Sequence, residues 1–181
     1  MIPMFARFAA VLMLVGTDGQ AQPTGSANGL FPTDGSLRAS GATTVVNVGP
    51  TAADALQISP VTFLSRAGTN NGEGSKSMCG LVIVSPGRQP QGIITVGTGA
   101  TEATPSCDAV LAFGAVPAVA GGKVRRIGVI HAVSSRNAAN GRAAVVLRRD
   151  GAGTWSVDED ATVRADTITH YTIAELRRKL R

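Results

Sequence analysis

The chain has 181 residues, a formal charge of +5, and 44% hydrophobic but only 4% aromatic residues. This length fits one domain with a sizeable core and leaves little room for a second. Because aromatic residues are scarce and there are 22 glycines, the core must consist mainly of Val, Ile, Leu and Ala, a composition that favours strands and tight turns. The positive charge, mostly arginine, indicates a bias toward anionic partners.

The segment from Met1 to Ala21 has the pattern of a secretory signal peptide. One basic residue, Arg7, precedes the apolar run 8–15, and Gly19-Gln20-Ala21 supplies the small residues that favour cleavage after Ala21. The apolar run is shorter than the roughly 20 residues that a membrane helix requires, so no stable membrane span is expected after cleavage. The pattern predicts an exported protein, periplasmic or extracellular.

Two further regions follow the predicted cleavage site. Residues 22–42 are rich in Gly, Ser, Thr and Pro, which predicts a flexible lead-in, and residues 43–181 are predicted to form a single domain. Near the start of that domain, Thr51-Ala52-Ala53-Asp54 resembles a capped helix start. The pattern predicts a short early helix that ends before Pro60.

Short apolar runs bounded by Gly, Pro or polar residues recur from residue 43 to residue 157. These runs follow one another without intervening helices of useful length, which indicates an antiparallel meander of about six strands. Two central runs, 79–84 and 107–113, each begin with one of the two cysteines. In an oxidising compartment Cys79 and Cys107 are expected to form a disulfide that joins these two core strands.

The last eleven residues carry the best-specified helix. Thr172 and Glu175 have capping-box spacing, and Ile173, Leu176 and Leu180 share one face. We expect this helix to pack on one face of the sheet. The predicted fold class is therefore α+β: an antiparallel sheet with a short early helix and a C-terminal helix.

Candidate catalytic residues are few. His131 is the one credible general base, but strand alternation places it on an otherwise apolar face, which is typical of a hydrogen-bonded core histidine. Ser134 is close in sequence, without a nucleophile-elbow motif. Asp158, the first of three adjacent acids, could supply a carboxylate, although such a run is usually a solvated turn. Two cysteines and two histidines lack zinc-site spacing, so no metal or other cofactor is expected.

A second set of candidates is basic. Five arginines lie on or beside two strands that are expected to be neighbours, and they could form a basic stripe for binding: Arg125, Arg126, Arg142, Arg148 and Arg149. Nucleic acid is not an expected partner, because single-strand binding uses aromatic platforms and the chain has one Trp and one Tyr. An anionic envelope polymer or an acidic protein surface suits an exported protein better.

Two functions remain open from these residues. The first is a non-enzymatic exported protein of binding or inhibitor type that acts through the arginines or the loops. The second is a small exported hydrolase that uses His131 with Ser134 or with a carboxylate such as Asp158. The enzyme requires His131 in a cleft within hydrogen-bond reach of a nucleophile or a carboxylate, whereas the binding protein requires an exposed patch. Neither pattern predicts an oligomeric state.

Overall fold

The computed structural model describes residues 29–31, 37–65, 76–97, 105–118, 124–135 and 138–181. The predicted signal peptide lies outside these ranges. The described strands form two antiparallel sheets. The first sheet contains β1 (Arg38–Ala39), β2 (Thr44–Asn47), β3 (Ala55–Ser65), β4 (Lys76–Val84) and β5 (Gln91–Val96). The second contains β6 (Ser106–Val116), β7 (Arg126–Ser135), β8 (Ala138–Arg149) and β9 (Trp155–Val157), and two helices follow, α1 (Glu159–Ala165) and α2 (Ile173–Lys179).

The two sheets pack face to face around an apolar core. The strand order is β1-β3-β4-β5 in the first sheet, where β2 also pairs with β3, and β6-β7-β8-β9 in the second. Alternate residues of the longer strands point into this core, as expected for two packed sheets. The buried residues at its centre come from both sheets and include Leu56, Ile58, Leu81, Ile83, Ile127, Val129, Leu147 and Trp155.

The predicted disulfide is confirmed, and it joins the two sheets. Cys79 of β4 and Cys107 of β6 are bonded, with their Cα atoms 5.6 Å apart, and both are fully buried in the core. The hydroxyl of Ser77 donates to the carbonyl oxygen of Cys107 at 2.7 Å beside the disulfide. This covalent link therefore reinforces the interface between the sheets.

The helices cover the outer face of the second sheet. Their buried residues, among them Ala161, Ala165, Leu176 and Leu180, pack against Val116, Ile130, Ala144 and Val146 of the sheet. The C-terminal helix begins as predicted, because Thr172 Oγ1 accepts a hydrogen bond from the backbone N–H of Glu175 at 3.1 Å. Helix α1 was not predicted, and its N-cap is Asp158.

The outer face of the first sheet is covered by residues that precede the strands. Phe31 is buried and its ring lies 4.9 Å from that of Phe63, centroid to centroid. Gly80 and Gly92 make room for this contact, since a Cβ on either glycine would collide with Phe31 or with Leu30. These described residues of the predicted lead-in, together with β1, thus belong to the packed fold.

The α+β class, the antiparallel strands and the C-terminal helix are as predicted, and besides the unpredicted α1 two further details differ. The strands divide into two sheets, so that their inward faces bury each other. The early helix is a single 3-10 turn, Ala52–Asp54, and β3 begins at Ala55 and runs through Pro60. Pro60 is tolerated there because β2 pairs with residues 55–58 and β1 with residues 61–62, which leaves Pro60 at a gap between them.

Candidate functional site

His131 lies in the core between the two sheets and is fully buried. Its Nε2 is 2.8 Å from the hydroxyl oxygen of Thr95, and that hydroxyl donates to the carbonyl oxygen of Cys79 at 3.2 Å. When this hydroxyl donates to Cys79, Nε2 carries a proton and donates to Thr95. Within the described residues, Nδ1 of His131 has no hydrogen-bond partner.

Burial lowers the pKa of His131 from 6.5 to about 4, and a weaker backbone interaction with Ala143 opposes this shift. A histidine with so low a pKa and no exposed surface cannot accept a proton from a substrate that remains outside the core. Its position between the sheets matches the interpretation of His131 as a structural residue.

The structure does not bring the candidate catalytic residues together. Ser134 follows His131 by three positions on β7, and this spacing places their side chains on opposite faces with Cα atoms about 10 Å apart. The hydroxyl of Ser134 instead donates to Oδ1 of Asp108 at 2.9 Å in an exposed pair.

Asp158 has two structural contacts and is 4% exposed, so it does not lie in the solvated turn that its acidic neighbours suggested. Its Oδ2 is 2.6 Å from Nη2 of Arg126, and its Oδ1 accepts a hydrogen bond from the backbone N–H of Ala161 at 3.1 Å. Asp158 therefore caps α1 and neutralises a buried arginine. These two structural roles account for Asp158 without a catalytic function.

The arginines of the predicted stripe are divided by the fold. The predicted pairing of their two strands is confirmed, with Arg126 of β7 opposite Arg148 of β8. Arg126 is 5% exposed and paired, so it contributes little to a surface. Arg142 lies six residues from Arg148 along β8, which corresponds to about 20 Å. Arg148 and Arg149 are consecutive and therefore project to opposite faces of the sheet.

One end of the sandwich nevertheless brings four arginines together. The strand registers place the start of β3 beside the end of β4 in the first sheet, and the starts of β7 and β9 beside the end of β8 in the second. The contacts of Arg125 with Asp54 and of Arg88 with Ala152 bring these two sheet ends together. We call the side chains of Arg88, Arg125, Arg148 and Arg149 the arginine end. Arg88, in the turn between β4 and β5, was not among the predicted binding residues.

Arg125 is held in place by a carboxylate of the first sheet. Its Nε lies 3.1 Å from Oδ1 of Asp54, which joins the start of β3 to the start of β7. A hydrogen bond from the Thr51 side chain and the contact with Arg125 lower the pKa of Asp54 to about 2. This carboxylate stays ionised at neutral pH, and it offsets the charge of Arg125.

Arg148 and Arg149 have no carboxylate partner among the described residues. Arg148 is exposed, whereas Arg149 is half buried and its Nε has no hydrogen-bond partner within the described part of the chain. Asp150 follows them directly, but its Oδ1 accepts a hydrogen bond from the backbone N–H of Thr154 at 2.8 Å. The charges of Arg148 and Arg149 are therefore available to a partner.

A cleft of about 290 Å³ adjoins the arginine end, between the edge strands β5 and β9. We call it the edge cleft, and its lining residues are Ile83, Ser85, Arg88, Gln89, Gln91, Gly153 and Thr154. Two hydrogen bonds connect its sides: Arg88 Nη1 donates to the carbonyl oxygen of Ala152, and Gln91 Oε1 accepts from the backbone N–H of Trp155 at 3.0 Å. The lining contains a guanidinium group and no carboxylate.

Sequence reasoning missed the edge cleft because two hairpins that are distant in the chain form it. The one available signal was that both turns are polar and carry glycine, in Pro86-Gly87-Arg88-Gln89-Pro90 and in Asp150-Gly151-Ala152-Gly153. Neither turn indicates which other turn it meets.

Comparisons of the chain with family models, with curated proteins and with solved structures give no match. Among the residues that the structure describes, no three His, Cys, Asp or Glu side chains are close enough to hold a metal ion. Within the same residues, no helix has the length and apolar character needed to cross a membrane. The geometry of the site therefore carries the functional argument.

Proposed function

We propose that this chain is an exported, non-enzymatic binding protein whose arginine end receives the carboxylate groups of an acidic polypeptide. The observation that carries this proposal is the pair Arg148 and Arg149, which have no carboxylate partner among the described residues. A guanidinium group binds a carboxylate through two parallel N–H···O bonds, and this geometry makes arginine well suited to such a surface.

The shape of the arginine end favours a flexible acidic polypeptide over a stiff carboxylated polysaccharide. A stiff chain would need a continuous stripe of positive charge, but the stripe is interrupted because Arg126 is buried and Arg142 lies near the opposite end. Arg148 and Arg149 project to opposite sides of the rim, so that a partner must follow the contour of the sandwich end. A carboxylated polysaccharide is therefore the alternative that the experiment below separates.

The hydrolase alternative has weaker support. His131 is buried with a neutral imidazole, Ser134 points away from it, and Asp158 is engaged with Arg126. General base catalysis requires the base within hydrogen-bond reach of the group that it deprotonates. None of the three candidates has this arrangement with another.

Export is supported by the buried disulfide, since such bonds persist in oxidising compartments and are rare where thiols are kept reduced. The signal-peptide pattern of the first 21 residues is the further support. We therefore propose a periplasmic or extracellular location.

The binding proposal can be tested with two anionic probes, poly-L-glutamate and the polyuronate alginate, by isothermal titration calorimetry at several salt concentrations. We expect poly-L-glutamate to bind more tightly at equal charge concentration, with an affinity that falls as salt screens the contacts. Equal or tighter binding of alginate would contradict the choice of an acidic polypeptide.

A charge-matched pair of variants tests the surface itself. The double variant R148Q/R149Q removes two charges from the arginine end, and R38Q/R164Q removes two from exposed positions elsewhere. If each lost arginine contact is worth about 1 kcal/mol, the first variant should bind roughly 30-fold more weakly, and the second close to wild type. Equal losses would mean that net charge alone is responsible.

A further inference from the structure

The edge cleft has features that the proposed contacts with a polypeptide do not use. Ser85 is 6% exposed and lines the cleft, and its hydroxyl has no hydrogen-bond partner among the described residues. This hydroxyl can therefore donate or accept a hydrogen bond with a ligand in the cleft.

The guanidinium group of Arg88 is fixed at the mouth of the cleft. Its hydrogen bond to Ala152 holds it against the hairpin between β8 and β9, directly over Gly153. Gly153 has a φ of +88°, a backbone conformation that favours glycine, and the guanidinium group lies where a Cβ would be. One hydrogen bond to Ala152 leaves other N–H donors of Arg88 for a ligand.

The remaining lining is rich in donors and carries no negative charge. Gln91 uses its carbonyl oxygen to accept from Trp155, which leaves its amide N–H groups as donors. Gln89 and Thr154 add an amide and a hydroxyl, and Ile83 supplies the one apolar contact. One positive charge surrounded by neutral donors suits a monoanion, whereas a phosphate dianion would require more positive charge.

We propose that the edge cleft binds a small aliphatic carboxylate that carries an amide or hydroxyl group. The carboxylate lies against Arg88 and Ser85, and the neutral polar group lies against Gln89 and Gln91. A volume of about 290 Å³ is at the lower end of ligand pockets, which fits a molecule of this size. This site shares Arg88 with the arginine end, but it does not require the acidic polypeptide, since it takes its ligand without Arg148 or Arg149.

The test is a titration followed by ¹H–¹⁵N NMR with two small probes at constant ionic strength. N-acetylglycine carries a carboxylate and an amide, and N-acetylglycinamide is its neutral counterpart. We expect N-acetylglycine to saturate with a dissociation constant of about 1 to 10 mM, as its small number of atoms allows. The largest shifts should occur at Gly153, Thr154 and the side-chain amide of Gln91.

Variants and a second anion complete the experiment. R88Q should weaken N-acetylglycine binding by at least about tenfold, R88K should fall between R88Q and wild type, and R38Q should have no effect. Equal binding of N-acetylglycinamide, stronger binding of inorganic phosphate, unchanged binding by R88Q, or shifts elsewhere would each overturn the proposal. R148Q/R149Q should bind N-acetylglycine as wild type does, which separates the cleft site from the pair Arg148 and Arg149 that carries the polypeptide proposal.

Discussion

The buried neutral histidine predicts a specific loss of stability in mild acid. His131 has a pKa of about 4 in the folded chain and an ordinary value near 6.5 in the unfolded chain. The folded state therefore binds fewer protons than the unfolded state between these two values. The contribution of His131 to the free energy of unfolding is therefore fully present above pH 6.5 and decreases as the pH drops through this window. Below about pH 4 this group causes no further loss.

The size of the effect follows from the width of the window. A lowering of the pKa from 6.5 to about 4 corresponds to about 3 kcal/mol, because each pKa unit is worth 1.36 kcal/mol. Such a loss is a large part of the roughly 5 to 15 kcal/mol by which a domain is stable. It should be measurable by urea unfolding at pH values from 7 to 4, with the fluorescence of the single, buried Trp155 as the signal.

A non-titrating variant isolates this contribution from those of the carboxylates. H131Q should be less stable than wild type at pH 7 by about 1 to 3 kcal/mol, because the imidazole and its bond to Thr95 are lost. By pH 4 wild type should have lost about 3 kcal/mol that H131Q does not lose, so the stability gap should close or change sign. H170Q, at the exposed second histidine, controls for the loss of a histidine. A gap for H131Q that stays constant over this range would refute the neutral buried imidazole.

Three other predictions follow from the structure. Reducing the Cys79–Cys107 disulfide should lower the free energy of unfolding by about 3.5 kcal/mol. Because both cysteines are buried, the reductant should reach the disulfide only after unfolding, and thiol titration with and without urea would show this. D158A should lower the free energy of unfolding by about 3 to 5 kcal/mol, because it leaves a buried arginine unpaired and α1 uncapped. E159A, at the exposed neighbour, should have little effect, and thermal melts of the two variants test this. Intact-mass measurement on protein from its native host should give a mature N-terminus directly after Ala21, and a full-length product would contradict export.

Much of the fold could be predicted from local pattern. The alternation of Ile127, Val129 and Val133 placed His131 on a buried face, and the two cysteines at strand starts indicated their bond. The helix at Asp158 was missed although its signal was present: an aspartate at the N-cap followed by acids in the first turn. The run of three acids was interpreted as solvated because its partner, Arg126, is far away in sequence.

The site was less accessible to sequence reasoning. Arg148 and Arg149 were among the predicted binding residues, but their division between two faces depends on sheet packing, and the burial of Arg126 depends on α1. The edge cleft requires the contact between the hairpins that carry Arg88 and Gly153. Such a contact is set by how the two sheets stack, and no local pattern in a single chain specifies it.

The most direct test of the central claim is to map where an acidic polypeptide contacts the protein. Addition of poly-L-glutamate to ¹⁵N-labelled protein should shift the signals of the arginine end, at Arg88, Arg125, Arg148 and Arg149, and these shifts should reverse with added salt. The basic last turn of α2 provides the internal comparison, because Arg177 and its neighbours are also exposed. Shifts concentrated in α2, or spread evenly over all arginines, would contradict the assignment of the arginine end as the binding surface.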